Sequence, residues 1–98
     1  MSYEVVNKRS VFCDIEAVVD HYKLISVALA NTFLDRLEET KDYIVNYPLA
    51  FQIKYKNVKT ILIKQFPYHI HYIVDEKRQQ LIILAVIHAY KNQMNNDS

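Results

Sequence analysis

Residues 66–88, with the sequence FPYHIHYIVDEKRQQLIILAVIH, predict two neighbouring β-strands and the turn that joins them. Ile70 and Tyr72 occupy alternate positions of the first strand, which places them on one face of a sheet. The charged residues 75–78 predict a hairpin loop. Residues 81–88 are apolar at nearly every position, a pattern typical of a central strand that is covered on both faces. This half of the chain therefore favours an antiparallel sheet.

Two further strands are predicted upstream of this hairpin. Phe51, Ile53 and Tyr55 alternate with polar residues, which indicates a half-buried strand. Residues 58–66 predict the next strand. We expect a tight turn between the two, with Asn57 supplying the positive φ, because asparagine tolerates that region where glycine is absent.

The N-terminal half predicts a short strand at 3–7 and two amphipathic helices. The first helix runs to about Lys23 and is expected to begin with Ser10 as its N-cap. The second covers about 27–46 and is stopped by Pro48. Apolar residues recur at helical spacing in both: Phe12, Ile15, Val19 and Tyr22 in the first, and Ala30, Phe33, Leu34, Leu37 and Ile44 in the second.

The predicted order is β-α-α-β-β-β-β. Helices first and strands afterwards indicate an α+β fold, with an N-terminal helical hairpin packed on one face of a mainly antiparallel twisted sheet. We expect one domain over residues 3–91 and a polar, disordered tail over residues 92–98.

The composition excludes several classes of protein. The 98 residues are 51% hydrophobic and carry a net charge of +1, so the chain is globular and any basic surface must come from local clustering. With no glycine, the chain has no glycine-rich phosphate loop. One cysteine, Cys13, excludes an internal disulfide, and we expect a buried thiol. The absence of a signal-peptide pattern or a long apolar run predicts a soluble, cytoplasmic protein with no membrane association.

Neither a cofactor nor a metal ion is predicted. His69 and His71 share one strand face and could begin a metal site, but the sequence offers no third ligand at a useful spacing.

Several segments together resemble the RelE/ParE superfamily of toxins, in particular its ParE-like branch. Residues 66–72, FPYHIHY, are similar to a signature of many ParE-like members. The apolar run 81–88 resembles the final strand of the family, which ends in histidine. Phe33 and Pro48 fit the second helix of the family and its proline stop. The resemblance covers residues 3–93.

The resemblance implies the toxin of a type II toxin–antitoxin system, with growth inhibition and plasmid stabilisation as its biological roles. Such a toxin forms a hetero-oligomer with its cognate antitoxin. ParE-like members inhibit DNA gyrase and are not nucleases, whereas RelE-like members cut mRNA on the ribosome. A third alternative is a degenerate toxin that retains only antitoxin binding. The fold alone does not choose between these functions, although the ParE-like one is the first hypothesis.

Candidate catalytic residues exist for the RelE-like alternative. By resemblance these are Lys59, His88 and Tyr90, which would neutralise a phosphate and transfer protons. Lysine at position 59 departs from the arginine common in RelE-like members and cannot make the same two-pronged contact with a phosphate. His88 is alternatively a hydrogen-bonded structural residue at the end of a strand.

A local cluster of lysines is the candidate surface for binding the target or nucleic acid. It comprises Lys54, Lys56, Lys59, Lys64 and Lys91. The alternative is a solvated strand face whose lysines discourage edge pairing.

Overall fold

The computed structural model describes residues 3–51 and 53–90. The elements are β1 (Glu4–Asn7), α1 (Arg9–Lys23), α2 (Val27–Asn46), β2 (Ile53–Tyr55), β3 (Val58–Leu62), β4 (Tyr68–Asp75) and β5 (Gln80–His88). The predicted order and the α+β class are confirmed. Lys91 and the tail at 92–98 lie outside the described residues, so the predictions made for them stay predictions. No helix within the described ranges is long and apolar enough to span a bilayer.

All five strands form one sheet, in the order β1-β5-β4-β3-β2. The neighbours are antiparallel except β1 and β5, which are parallel. The first strand therefore pairs with the last one. This pairing leaves β2 at one edge of the sheet and places β4 at its centre.

The hydrophobic core lies between the helical hairpin and one face of the sheet. Phe33 is fully buried, and its ring lies 5.3 Å from that of Phe66 and 5.9 Å from those of Tyr22 and Tyr68, measured between centroids. Aromatic pairs at these distances add to the stabilisation from burial alone. The predictions that Phe66 and Tyr72 belong to the core are confirmed. The other large, fully buried side chains are Val11, Leu37, Ile44, Ile63, Ile70, Leu81 and Ile83.

The start of α1 differs from the prediction. The N-cap is Lys8, whose side chain makes no capping hydrogen bond, and Ser10 lies inside the first turn. The buried side chains of α1 are Val11 and Val18, whereas Phe12 is 59% exposed. Ile15, Val19 and Tyr22 of the predicted stripe are partly buried and pack against the core, so Phe12 is the member of that stripe that departs from the prediction.

The bounds of α2 agree with the prediction. Ser26 caps this helix, since its hydroxyl oxygen accepts a hydrogen bond from the backbone N–H of Leu29 at 3.2 Å. The helix ends at Asn46, before Pro48. Its buried residues include the predicted Phe33, but Leu34 is 37% exposed and lies off the buried stripe.

Three predictions about strands and turns were wrong. β2 is exposed at every position, because it is an edge strand that the helices do not cover. β3 ends at Leu62, since Gln65 takes a positive φ of 74° in a turn before β4. In the β2–β3 turn it is Lys56, not Asn57, that has the positive φ, at 48°.

Two predictions about burial were also wrong. Cys13 is exposed, because it does not lie on the side of α1 that faces the sheet. β5 is an interior strand, but the helices cover only one of its faces. Its apolar sequence is partly explained by a bulge opposite His71 and Tyr72, where Leu84 is the extra residue. The bulge shifts the alternation, so that Ile83 and Val86 are both buried.

Candidate functional site

The sheet has a second face, opposite the helices, which we call the open face. Tyr68, Ile70 and Tyr72 of β4 point towards the helices, because Tyr68 contacts the α2 ring of Phe33 and the other two are fully buried. Side chains alternate along a strand, so His69 and His71 lie on the open face. In the described part of the chain, neither helix packs on that side.

Four polar side chains gather on the open face, and we call them the histidine cluster: Lys54, Tyr55, His69 and His71. The rings of His69 and His71 lie 6.3 Å apart between centroids. The hydroxyl of Tyr55, on the edge strand, lies 3.3 Å from Nδ1 of His71. Lys54 lies close enough to His69 for its charge to affect that imidazole. The register brings these groups together from β2 and β4, across β3.

The environment of the cluster disfavours protonation of both imidazoles. Burial lowers the pKa of His69, and the charge of Lys54 lowers it further. Burial also lowers the pKa of His71, with a smaller contribution from His69. Both values move below the usual 6.5, so both rings are mostly neutral at pH 7.

The structure brings two of the three candidate catalytic residues together, since the rings of His88 and Tyr90 lie 5.9 Å apart between centroids, but it places Lys59 elsewhere. Lys59 pairs with Tyr72, whereas His88 pairs with Tyr68, four residues along β4 on the opposite side of that strand. At about 3.3 Å per residue and 4.8 Å per strand, their Cα atoms are roughly 16 Å apart. Lys59 and His88 therefore belong to separate regions of the sheet.

Each of these residues also has a local partner. The Lys59 ammonium donates a hydrogen bond to the backbone carbonyl of Phe51, on the helix side of the sheet. Nδ1 of His88 accepts one from the backbone N–H of Tyr90 at 3.1 Å. The His88 ring packs on that of Tyr68 at 5.0 Å between centroids. These contacts favour the structural alternative for His88.

The predicted lysine patch divides between different parts of the surface. Lys54 adjoins His69 on the open face. Lys59 is bonded to the loop after α2, and Lys64 lies beside α2 in the β3–β4 turn. Lys56 occupies the β2–β3 turn. The expectation of one continuous basic patch is therefore corrected for these four, while Lys91 lies outside the described residues.

An apolar cleft, which we call the α2 cleft, lies between the C-terminal half of α2 and β3. Its volume is about 260 Å³. The exposed ring of Tyr43 forms part of its wall and lies 5.6 Å from that of Phe51. The other lining residues are Glu39, Thr40, Ile61, Leu62 and Lys64. The cleft can accept an apolar side chain from a partner, and its lining includes one acidic residue, Glu39, and one basic residue, Lys64.

The described residues contain no group of three or more His, Cys, Asp or Glu side chains placed to hold a metal ion. The sequence had brought His69 and His71 to one face but gave no sign of Tyr55 or Lys54 beside them. Those contacts depend on the register of β2, which shifts between Ile53 and Tyr55. Residue spacing carries no signal for such a shift.

Comparison with known proteins gives matches in structure but not in sequence. No family model and no curated protein sequence matches the chain. The chromosomal ParDE toxin–antitoxin system of P. aeruginosa contains a similar chain, with a TM-score of 0.75 and 18% identity over 88% of this chain and 95% of that one.

Two RelE structures are also similar. An arginine double mutant of E. coli RelE in the free state has a TM-score of 0.69 and 15% identity, covering 98% of this chain and 93% of that one. The archaeal RelE–RelB complex from Pyrococcus horikoshii OT3 has a chain with a TM-score of 0.62 and 16% identity, covering 93% of this chain and 99% of that one. The chain thus has the fold of the RelE/ParE toxins.

Proposed function

We propose that this protein is the toxin of a type II toxin–antitoxin system and that an antitoxin protein holds it inactive. The observation that carries the proposal is the extent of the structural likeness, which covers 88% of this chain and 95% of the chain from the ParDE system. Similar extents hold for RelE chains. The fold of a toxin is thus present with no large insertion or deletion.

As its action, we propose ParE-like inhibition of DNA gyrase by binding. The RelE-like alternative, cleavage of mRNA on the ribosome, would use Lys59, His88 and Tyr90. Lys59 and His88 lie in separate parts of the sheet, and each has a local hydrogen-bond partner. The separation of Lys59 from His88 supports a toxin that inhibits its target by binding, and not by catalysis.

The α2 cleft is our candidate surface for the antitoxin. An amphipathic partner helix needs an apolar groove for its anchoring side chains. The cleft supplies one, and the exposed Tyr43, Tyr47 and Leu49 extend its apolar surface along the end of α2 and the following loop. The rings of Tyr43 and Tyr47 already contact each other at 5.1 Å between centroids, with their planes tilted by 46°, so they form one exposed aromatic surface.

The first experiment tests toxicity and target together. Controlled expression in a bacterial host should stop growth, and the neighbouring reading frame, expressed in the same cells, should restore it. Purified protein should reduce supercoiling by gyrase and leave mRNA on translating ribosomes intact. Unaffected growth would contradict the toxin role. Cleaved mRNA with normal supercoiling would replace the gyrase proposal with the RelE-like one.

A pair of matched variants tests the antitoxin surface. Tyr43→Asp places a charge at the α2 cleft and should weaken antitoxin binding at least tenfold while the protein remains toxic. Leu24→Asp is the control, because Leu24 is 88% exposed and precedes α2 at the helix end opposite to the cleft. Binding by calorimetry checks both. Equal losses for the two variants would rule the cleft out.

A further inference from the structure

A second cleft lies between α1 and the paired ends of β4 and β5, and we call it the α1 cleft. Its volume is about 220 Å³. It shares no lining residue with the α2 cleft and contains no member of the histidine cluster. The proposed inhibition of gyrase gives this cleft no role. The residues that line it are Asp14, Ala17, Val18, Tyr68, Val86 and His88.

One part of the wall is a carboxylate that is fixed in place. Asp14 is half-buried, and its Oδ2 accepts a hydrogen bond from the backbone N–H of Val86 at 3.1 Å. This bond joins α1 to β5 and holds the carboxylate at the cleft. A carboxylate has about four lone-pair positions for hydrogen bonds, so Asp14 can also accept hydrogen bonds from a ligand.

Another part of the wall consists of two aromatic rings. Tyr68 and His88 pair between β4 and β5, and their rings lie 5.0 Å apart between centroids with an angle of 78° between the planes. The Tyr68 ring packs on that of Phe33 at 5.9 Å. The backbone N–H of Tyr90 donates a hydrogen bond to Nδ1 of His88. Both rings are therefore held in position before any ligand binds, which reduces the entropy lost on binding.

The composition of the lining disfavours several classes of ligand. Among the described residues that line the cleft there is no lysine or arginine to hold a phosphate or carboxylate against the charge of Asp14. The described residues also contain no group of three or more side chains placed to hold a metal ion. A neutral apolar ligand would displace water from the carboxylate and offer it no hydrogen bond, which is costly. These considerations favour an organic cation.

An alkylammonium ion matches each part of the lining. Its N–H groups can donate charge-assisted hydrogen bonds to Asp14. The faces of aromatic rings attract a cation that lies within about 6 Å of the ring centre, and Tyr68 and His88 supply two such rings. Val18 and Val86 are buried and apolar, so they can pack against the methylene groups of the ligand.

We propose that the α1 cleft binds the primary ammonium group of an aliphatic amine. Ala17 is exposed, so the cleft opens to solvent beside it and the rest of the ligand can extend outwards there. Two sources present this group, a free polyamine and the lysine side chain of a partner protein. The proposal does not depend on the proposed toxin function.

The binding test is a titration of the purified full chain, labelled with ¹⁵N and followed by NMR at pH 8. At this pH an aliphatic amine keeps its proton, whereas a more acidic solution would favour a protonated imidazole that repels the ligand. Putrescine is added up to about 10 mM, because a ligand of so few atoms binds weakly. The amide signal of Val86 should shift, since the acceptor of its hydrogen bond is Asp14. The neutral analogue 1-butanol should leave that signal unchanged.

Matched variants on α1 test the contribution of the carboxylate. Asp14→Asn removes the charge but keeps an oxygen that can accept from the N–H of Val86, and it should raise Kd by about tenfold or more. Asp20→Asn is the control, because Asp20 is exposed on the same helix and does not line the cleft. It should change Kd by less than about twofold. Added salt should weaken binding to the wild-type protein.

A second variant separates binding from any structural role of Asp14. Ala17→Leu leaves all charges in place and fills the opening of the cleft, so it should abolish the shift of the Val86 signal. Circular dichroism and thermal melting should show that the variants are folded. Putrescine should raise the Tm of the wild-type protein but not that of Ala17→Leu.

The source of the amine is decided by a comparison of two probes. Putrescine represents a free polyamine, and lysine blocked at its amino and carboxyl groups represents a partner protein. The probe with the lower Kd identifies the source. The proposal would be overturned by the absence of a shift with either probe, by equal binding of 1-butanol and putrescine, or by equal Kd values for Asp14→Asn and Asp20→Asn.

Discussion

Replacing Phe33 with leucine should destabilise the protein far more than replacing Leu34, its exposed neighbour on α2, with alanine. Phe33 is fully buried, and its ring lies within 6 Å of three other aromatic rings, those of Tyr22, Phe66 and Tyr68. Leucine keeps most of the apolar volume but loses two edge-to-face contacts, with Phe66 and Tyr68, and one tilted contact, with Tyr22. Each such aromatic contact is worth about 0.5–1.5 kcal/mol. Allowing for partial repacking, we expect a loss of about 2 kcal/mol in the free energy of unfolding.

The measurement is urea unfolding followed by circular dichroism. A chain of this size should lose roughly 4–8 °C in Tm for each kcal/mol, so Phe33→Leu should melt about 8–16 °C lower. The slope of unfolding free energy against urea concentration should not change. Leu34→Ala is the matched control on the same helix. Leu34 is 37% exposed, and we expect this change to cost less than about 1 kcal/mol.

The comparison tests whether the helical hairpin is held to the sheet by the aromatic cluster. If Phe33→Leu costs no more than Leu34→Ala, then Phe33 does not anchor α2, and the packing of helix on sheet described above is wrong. A changed urea slope would mean that the variant alters the unfolded ensemble as well, and the comparison would then be made by Tm alone.

Three further predictions concern capping and pH. Ser26→Ala should lower the free energy of unfolding, measured in urea, by about 1 kcal/mol, because it removes the N-cap of α2. Ser10→Ala should lower it by less than about 0.5 kcal/mol. Equal losses for the two variants would contradict the observed caps. Burial raises the pKa of Tyr72 to about 12. As the pH rises, the unfolded chain therefore loses this proton first, and the free energy of unfolding should fall by roughly 2–3 kcal/mol between pH 10 and 12. Tyr72→Phe should lessen that fall, and an unchanged dependence of stability on pH in this variant would contradict the assignment. The pKa values of His69 and His71 are lowered in the folded protein, so below pH 6.5 the unfolded chain binds protons more readily than the folded one. Stability should therefore decline as the pH falls from 7 to 5. Replacing both histidines with glutamine should flatten that decline.

The sequence alone determined the order of elements and the bounds of α2. Pro48 and the helical spacing of the apolar positions predicted this 20-residue helix, and a proline acts on the residue directly before it. The alternation of Ile70 and Tyr72 likewise identified the buried face of β4, because side chains on a strand alternate whatever packs on them. Features that depend on the backbone and side chains of a few neighbouring residues can therefore be predicted from the sequence of those residues.

Only the tertiary structure decided which side chains meet. The shifted register of β2 against β3, and the pairing of β3 with β4, place Tyr55 beside His71. The same arrangement sends Lys59 and His88 to separate regions of the sheet. A one-residue change in register would move a side chain to the other face. Register is set by the packing of the whole sheet against the helices, so it is a property that no short segment carries.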